Sequence, residues 1–328
     1  MRLAVELIQA PPPRPIPTHG SRVFLDRMLR EPARHMEVPM TVFRRIDRLF
    51  TPSPFGPGFA GPRHTARLMI PPGDFTQTNP FFLMADDRTE VGGEFGEAHP
   101  HAGIETVTFM LSGSFEDLEG RLDADDVEWM TSGRGIVHGQ DTVTSNGMRL
   151  LQLWIVLPEH QRRSSPRVQR LPARNMPVRR EPGAEARVYS GKSGDAVART
   201  MNAAPVTLID LRLQPSASFE QDLPSSYNGL IIVIEGAVLA GDPEKAVAKD
   251  QVGWLDRPTP AGASVDALRL RVAETPARVL IFAGEPQVIS LAARGPFIAG
   301  SDAELADRFA AYRRGEFPYA SSLRQEVG

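Results

Sequence analysis

The chain has no cysteine among its 328 residues. This absence excludes disulfide bridges, zinc sites with thiolate ligands, iron–sulfur clusters and a cysteine nucleophile. Any metal chemistry in this chain must therefore use side chains other than thiolates.

Long apolar runs are also missing. No run approaches the roughly 20 residues that a membrane helix needs, and the opening MRLAVELIQAPPPRP has no basic region followed by a long apolar block. The formal net charge of −3 gives no basic surface for nucleic acid. We therefore expect a cytoplasmic protein without a signal peptide, which contacts neither a membrane nor nucleic acid directly.

Short β-type runs, broken by glycine and proline, make up most of the chain after Val42. Examples are TVTFML and LLQLWIVL. Strands of four to eight residues with frequent turn signals predict an all-β sandwich or barrel. The absence of amphipathic helical patterns of 10–15 residues between these runs argues against βαβ units and a dinucleotide-binding fold.

The two halves of the chain resemble each other. TVTFMLSGSF, VEWM and LQLWIVLPE are followed in the same order by LIIVIEGAVL, VGWL and RVLIFAGEP, which predicts two copies of one small barrel. The predicted domains are an N-terminal extension (1–40), a first barrel (41–160), an Arg/Pro-rich segment (161–185), and a second barrel with a terminal helix (186–328). We interpret 161–185 as a solvated linker rather than a basic patch for an anionic partner.

A helix is predicted near the end of the second half. Ser301 is suited to be its N-cap, and Glu304 would complete a capping box. Leu305, Phe309 and Tyr312 would form one apolar stripe along it, which predicts packing within the domain.

Three of the seven histidines lie close together in the sequence. His99 and His101 are two residues apart ahead of a β-rich run, so a strand would project both imidazoles from one face. Glu105 has the same parity and could join them if the strand stays regular. His138 follows a glycine-rich turn, and Gln140 comes two residues later. This grouping indicates a site for a borderline transition metal, the alternative being surface histidines that are near one another by chance.

Several segments resemble a known family. HPHAGIETVTFMLSGSFE, VEWMTSGRGIVHGQ and LQLWIVLPEHQRRSSPR are similar to signature segments of pirin-like proteins, which are two-domain cupins, and the resemblance covers most of residues 40–320. It implies an all-β fold of two tandem cupin (jelly-roll) barrels packed face to face, with a short C-terminal helix. It also implies one metal in the first barrel and a degenerate second barrel. The lack of any histidine after His160 agrees with this.

The resemblance further implies a ligand set. Its three histidines match His99, His101 and His138, but its fourth ligand, a glutamate, is replaced by Gln140. Fe(II) is the expected metal, with Mn, Ni, Co or Zn as alternatives. An amide offers only a dipole where a carboxylate offers a full charge, so metal affinity should fall and the redox potential should rise. Glutamine also cannot act as a general base.

Glu105 resembles the glutamate ligand of the general cupin motif. It could compensate for Gln140 as a ligand or catalytic group. The alternative is a hydrogen-bonded residue that orients the ligands.

Two functions follow from the resemblance. The first is a dioxygenase that acts on a small aromatic, flavonol-like (quercetin-type) substrate. The second is a catalytically silent regulator that binds a protein partner, in a metal-dependent or metal-free manner, because the expected glutamate is Gln140.

Overall fold

The computed structural model describes residues 42–59, 61–92, 97–117, 120–139, 147–256, 265–287 and 290–327. The predicted N-terminal extension, residues 1–40, and Gln140 lie outside these ranges. None of the helices within them is long and apolar enough to span a membrane.

Strands dominate the described residues. Those of the first half are β1 (Val42–Phe43), β2 (Ile46–Phe50), β3 (Gly56–Pro57), β4 (His64–Ile70), β5 (Phe81–Thr89), β6 (His99–His101), β7 (Ile104–Asp117), β8 (Gly120–Asp123), β9 (Val127–Thr131), β10 (Ile136–His138), β11 (Met148–Val156) and β12 (Arg167–Leu171). Those of the second half are β13 (Val178–Glu181), β14 (Ala184–Ser190), β15 (Lys192–Ser193), β16 (Ala196–Val197), β17 (Val206–Leu213), β18 (Ser218–Pro224), β19 (Asn228–Glu235), β20 (Ala237–Ala240), β21 (Lys245–Ala248), β22 (Val252–Leu255), β23 (Val265–Arg271), β24 (Ala277–Gly284), β25 (Ala292–Arg294), β26 (Phe297–Ala299) and β27 (Arg324–Glu326). The helices are α1 (Phe75–Thr78) and α2 (Asp302–Arg313), and 3-10 turns cover Glu159–Gln161, Ala173–Asn175 and Ala320–Ser322.

The two main sheets have the same strand order, as the internal resemblance predicts. The first runs β27-β12-β9-β7-β11-β5-β4-β3, and the second, read from the edge beside its tryptophan strand, runs β2-β22-β19-β24-β17-β14-β13. In both, the tryptophan strand (β9 or β22) lies beside the long strand that precedes it in the chain. The all-β fold of two tandem cupin barrels is confirmed.

The two barrels pack face to face through one apolar core. Leu151 and Leu153 alternate along β11 with Gln152 and Trp154, because successive strand residues point to opposite faces. The leucines join a core that is shared with the second barrel. This core contains Phe81, Phe109, Trp129 and Leu151 from the first barrel, and Tyr189, Leu208, Ile232, Trp254 and Phe282 from the second. Burying each large apolar side chain contributes about 1.5–3 kcal/mol, so this contact is a major source of stability.

Both ends of the described chain cross to the other barrel. Strand β2 pairs with β22 and β1 pairs with β23, so the first described strands complete the second barrel. Strand β27 pairs with β12 at the edge of the first barrel's sheet. The first described strands were expected in the first barrel; the pairing differs because each sheet has an edge that a distant strand can cover.

The segment 161–185 differs from a solvated linker over part of its length. Within it, β12 pairs with β9, and Val168, Gln169, Arg170 and Leu171 are all buried. The apolar Val168 and Leu171 anchor this strand, and the arginines that surround them in the sequence concealed its sheet character.

The interior of the second barrel is filled by aliphatic side chains. Val188, Ile209, Ile231, Val279 and Ile281 belong to a buried cluster of their own. That the second barrel is degenerate stays a prediction from the sequence. Among the described residues, the metal-capable group of side chains is found in the first barrel.

Helix α2 forms as the sequence predicts. Ser301 is its N-cap and accepts a hydrogen bond from the backbone N–H of Glu304, whose carboxylate accepts from the N–H of Gly300. Leu305 is buried, and Phe309 and Tyr312 contact the ring of Phe297. The helix therefore packs on β26, within the same chain.

Candidate metal centre

Two short strands bring the three predicted histidines together. Strands β6 and β10 pair with His138 opposite His99 and with Ile136 opposite His101. The ring centroids are 4.9 Å apart for His99 and His101, 4.5 Å for His99 and His138, and 4.9 Å for His101 and His138. The nitrogens that could bind a metal all lie within 4.8 Å of one another.

Two glycines make this arrangement possible. Gly103 has φ of 79°, and a Cβ there would lie 1.9 Å from the carbonyl oxygen of Ile298. Gly135 has φ of 147°, and a Cβ there would lie 2.2 Å from the ring of Phe317. Both positions therefore require glycine for space as well as for conformation.

Backbone carbonyls fix which ring nitrogens face the centre. His99 Nδ1 lies 2.7 Å from the carbonyl oxygen of Glu97, and His101 Nδ1 lies 3.3 Å from that of Pro296. A carbonyl can only accept, so each Nδ1 carries the proton and each Nε2 keeps its lone pair. His138 Nε2 is buried and has no hydrogen-bond partner among the described residues. Three available imidazole nitrogens, one of them without any partner, are the donor set expected of a transition-metal site.

The electrostatics of the site favour the neutral form of His101 and His138. Burial, together with the neighbouring His99, lowers the pKa of His101 to about 3. Burial and the charges of His101 and His99 hold the pKa of His138 well below its usual value. Neutral imidazole is the form that binds a metal, so His101 and His138 are in the ligating form at neutral pH.

Glu105 does not converge with the histidines. Its carboxylate is fully buried on the side of β7 that faces the second barrel, where Thr131 Oγ1 donates to Oε1 over 2.7 Å. The backbone N–H groups of Ala203 and Ala204 donate to Oε1 and Oε2 over 2.8 and 3.0 Å. Glu105 does not share a strand face with His99 and His101, because Gly103, in its left-handed conformation, separates β6 from β7. Burial raises the pKa of Glu105, although these three donors oppose the rise.

The histidines open into a cavity of about 260 Å³ inside the first barrel. Trp154 lines it, with its ring edge-on to His101 at a centroid distance of 4.9 Å and stacked on Phe82 at 6.4 Å. Trp129 is buried in the core between the barrels, whereas Trp154 borders the candidate ligand space. Small-molecule sites usually have volumes of about 300–1,000 Å³, so this slightly smaller cavity has room for one small ligand.

The polar residues that line this cavity were not predicted from the sequence. Asp87, Thr108, Glu128 and Gln152 all line it. Glu128 and Gln152 each lie between two apolar residues of a β-type run, and that alternation was a signal that they face a barrel interior. The contact from Pro296 to His101 had no such local signal.

The fold and the site together define a two-barrel cupin with a three-histidine centre in its first barrel. Family models described as "Pirin" and "Pirin C-terminal cupin domain" match residues 69–155 and 208–318. Pirin-1 of Arabidopsis thaliana is 30% identical over 244 residues, which cover 72% of this chain and 82% of that protein. The chain belongs to the pirin family.

Two further relatives extend the comparison. A putative quercetin 2,3-dioxygenase of Pseudomonas aeruginosa is 30% identical over 252 residues, covering 72% of this chain and 82% of that protein. The crystal structure of a Geobacillus kaustophilus protein has 35% sequence identity and a TM-score of 0.69, covering 75% of this chain and 98% of that one.

Proposed function

We propose that the first barrel binds one divalent transition metal through His99, His101 and His138, with Gln140 as a weak fourth ligand. The observation that carries this proposal is the convergence of three imidazoles, one with a buried Nε2 that has no partner among the described residues, at a cavity of the first barrel. Fe(II) is the metal we favour because a histidine-ligated ferrous ion with open positions suits dioxygen chemistry.

We propose further that this centre serves a dioxygenase for a flavonol-like aromatic substrate. The likeness to a putative quercetin 2,3-dioxygenase supports this reaction class. A bound metal would supply a Lewis-acidic, redox-active centre for a substrate with adjacent hydroxyl and carbonyl groups. The chain's own contribution is to hold the ion with the three imidazoles, to flank the substrate ring with Trp154, and to exclude water from a largely apolar cavity.

The alternative function is a catalytically silent binding protein for a protein partner. Gln140 favours this alternative. An amide gives the site less negative charge for a cation than a glutamate would, and it cannot accept a proton from a substrate. This binding protein could act with or without a metal in the first barrel, so it differs from the dioxygenase in turnover rather than in fold.

Metal content and oxygen uptake separate these alternatives. We expect about one equivalent of metal in protein purified without chelator, lost in His101→Ala and His138→Ala but kept in His160→Ala, an exposed histidine outside the site. Oxygen uptake with quercetin would support the dioxygenase. Gln140→Glu should raise metal affinity and any turnover. A metal-loaded protein without uptake in either form would favour the binding protein, and absence of metal in all forms would contradict the site.

A further inference from the structure

A row of polar side chains crosses the sheet of the first barrel on the face that lines the cavity. Strand register places Arg170 opposite Glu128, Glu128 opposite Thr108, and Thr108 opposite Gln152, on β12, β9, β7 and β11. The residues that flank Glu128 and Gln152 in the chain point instead into the apolar core between the barrels. Because successive side chains of a strand point to opposite faces, the polar row lies on the face of the cavity.

The row contains a buried ion pair. Arg170 Nε lies 3.0 Å from Glu128 Oε2, and both side chains are 7% exposed. Glu128 lines the cavity and Arg170 lies behind it. A buried ion pair of this kind is weak evidence for a role in stability, because the cost of desolvation offsets the attraction. The pair does, however, place a carboxylate at the wall of the cavity.

Two further polar groups lie near this ion pair. Thr108 Oγ1 donates to Gln152 Oε1 over 2.8 Å, which leaves the amide N–H₂ of Gln152 available as a donor. Asp87 Oδ1 lies 2.8 Å from His64 Nε2, and among the described residues His64 is its hydrogen-bond partner. Burial raises the pKa of Asp87, although His64 opposes the rise. We call Glu128, Gln152 and Asp87 the polar wall of the cavity.

We propose that the polar wall selects ligands that carry hydroxyl donors at the end remote from the metal, with Glu128 as the principal acceptor. This proposal rests on the proposed function, since a metal held by the three histidines would bind the chelating end of the ligand. An aromatic ligand without such hydroxyls would desolvate the polar wall and give it no hydrogen-bond donor in exchange for water. Sites built to hydrogen-bond a substrate hydroxyl reject analogues that lack it far more strongly than apolar pockets reject a missing methylene.

Two flavonols test this specificity. Quercetin and 3-hydroxyflavone share the adjacent hydroxyl and carbonyl that chelate a metal, but 3-hydroxyflavone lacks the other ring hydroxyls. Their dissociation constants would be measured by calorimetry on metal-loaded protein without oxygen, so that binding is read without turnover. We expect wild-type protein to prefer quercetin by tenfold or more, roughly the effect of one buried hydrogen bond.

The variants remove the acceptor in two ways. Glu128→Gln should reduce the preference for quercetin by about tenfold, with little change for 3-hydroxyflavone. Because Glu128→Gln removes only the negative charge of the ion pair, the double variant Glu128→Met/Arg170→Met, which removes both charges, keeps the fold testable. Glu116→Gln, at an exposed position on β7, is the matched control and should keep the preference.

The outcomes separate this proposal from the function on which it rests. Equal affinity for the two flavonols in wild-type protein, or an unchanged preference in both Glu128 variants, would overturn the role of the polar wall while flavonol binding itself still stood. Failure of the metal-loaded protein to bind either flavonol would overturn both.

Discussion

At the scale of single residues, Gly103 decides which side chains meet in the candidate metal site. A regular strand from His99 to Glu105 would place both histidines and the glutamate on one face. The left-handed conformation at Gly103 ends β6 and allows β7 to begin in a different sheet. As a result the histidines face the cavity, whereas Glu105 faces the second barrel and ties it to the first through Ala203 and Ala204.

Glu105→Gln should therefore reduce stability without reducing metal binding. The variant retains one acceptor oxygen but turns an N–H₂ group toward backbone donors, a loss of about 1–3 kcal/mol in the free energy of unfolding. Urea denaturation would measure the stability, and elemental analysis would measure the metal.

The exposed Glu116→Gln provides the comparison and should leave both quantities near wild type. A drop in metal content for Glu105→Gln at full stability would instead make Glu105 a ligand, against the geometry described above.

At the scale of elements, residues next to β26 and just after α2 contact the strands that carry the candidate metal site. The carbonyl oxygen of Pro296 lies near His101 Nδ1, and the carbonyl oxygen of Pro318 accepts a hydrogen bond from the N–H of Val137 over 2.9 Å. Phe317 fills the space that Gly135 leaves open in the turn before His138. The orientation of two of the three imidazoles thus depends on residues near the end of the chain.

Phe317→Ala should loosen the turn that carries His138. We expect metal affinity to fall by about tenfold, the lower end of the effect of removing a group that orients a ligand. Competition with a chromogenic chelator would measure it, at a temperature where circular dichroism shows the variant to be folded. Tyr319→Ala, which removes a half-exposed ring from the same segment, is the control. Equal affinities for the two variants would contradict the link.

Local signals explain what could be predicted from the sequence. The histidine motifs, the capping box of α2 and the β-type runs are each contained in a few neighbouring residues. The support of His101 by Pro296 and of Glu105 by Ala203 joins residues 195 and 98 positions apart, and no local pattern encodes such pairings. Strand β12 was missed for a related reason, since its arginines have the composition of a linker and only sheet pairing buries them.

At the scale of the whole molecule, ion pairs join the barrels at both sides of the shared apolar core. Asp125, in a turn of the first barrel, lies 2.6 Å from Arg212 and 2.6 Å from Arg278 of the second. Asp250 of the second barrel lies 2.9 Å from both Arg67 and Arg149 of the first. These contacts add electrostatic links between the barrels to the apolar packing.

Asp250 makes part of this stability dependent on pH. Although burial would raise it, Arg149 and Arg67 hold the pKa of Asp250 below the usual value of 3.8. A carboxylate with a lowered folded pKa stabilises the protein above the unfolded value, and this contribution is lost as pH falls through the folded value. Asp250→Asn should therefore cost about 1 kcal/mol at pH 7 and progressively less below about pH 4.

Asparagine also tolerates the positive φ of 66° at this position, so backbone strain does not confuse the comparison. Urea midpoints at pH 7 and pH 3 would measure the difference, with the exposed Asp222→Asn as control. A cost that stays constant across this range would show that the carboxylate charge of Asp250 does not act in this way.

The pairing of β27 with β12 has a consequence for biosynthesis. After β12 ends at Leu171, the ribosome must add about 150 residues before Arg324 and the rest of β27 exist. At about 5–20 residues per second this takes roughly 8–30 s, during which the nascent first barrel has an uncovered sheet edge and, for most of the time, lacks the Pro296 carbonyl beside His101. Loading of an ion is therefore expected to follow completion of the polypeptide rather than to accompany its emergence.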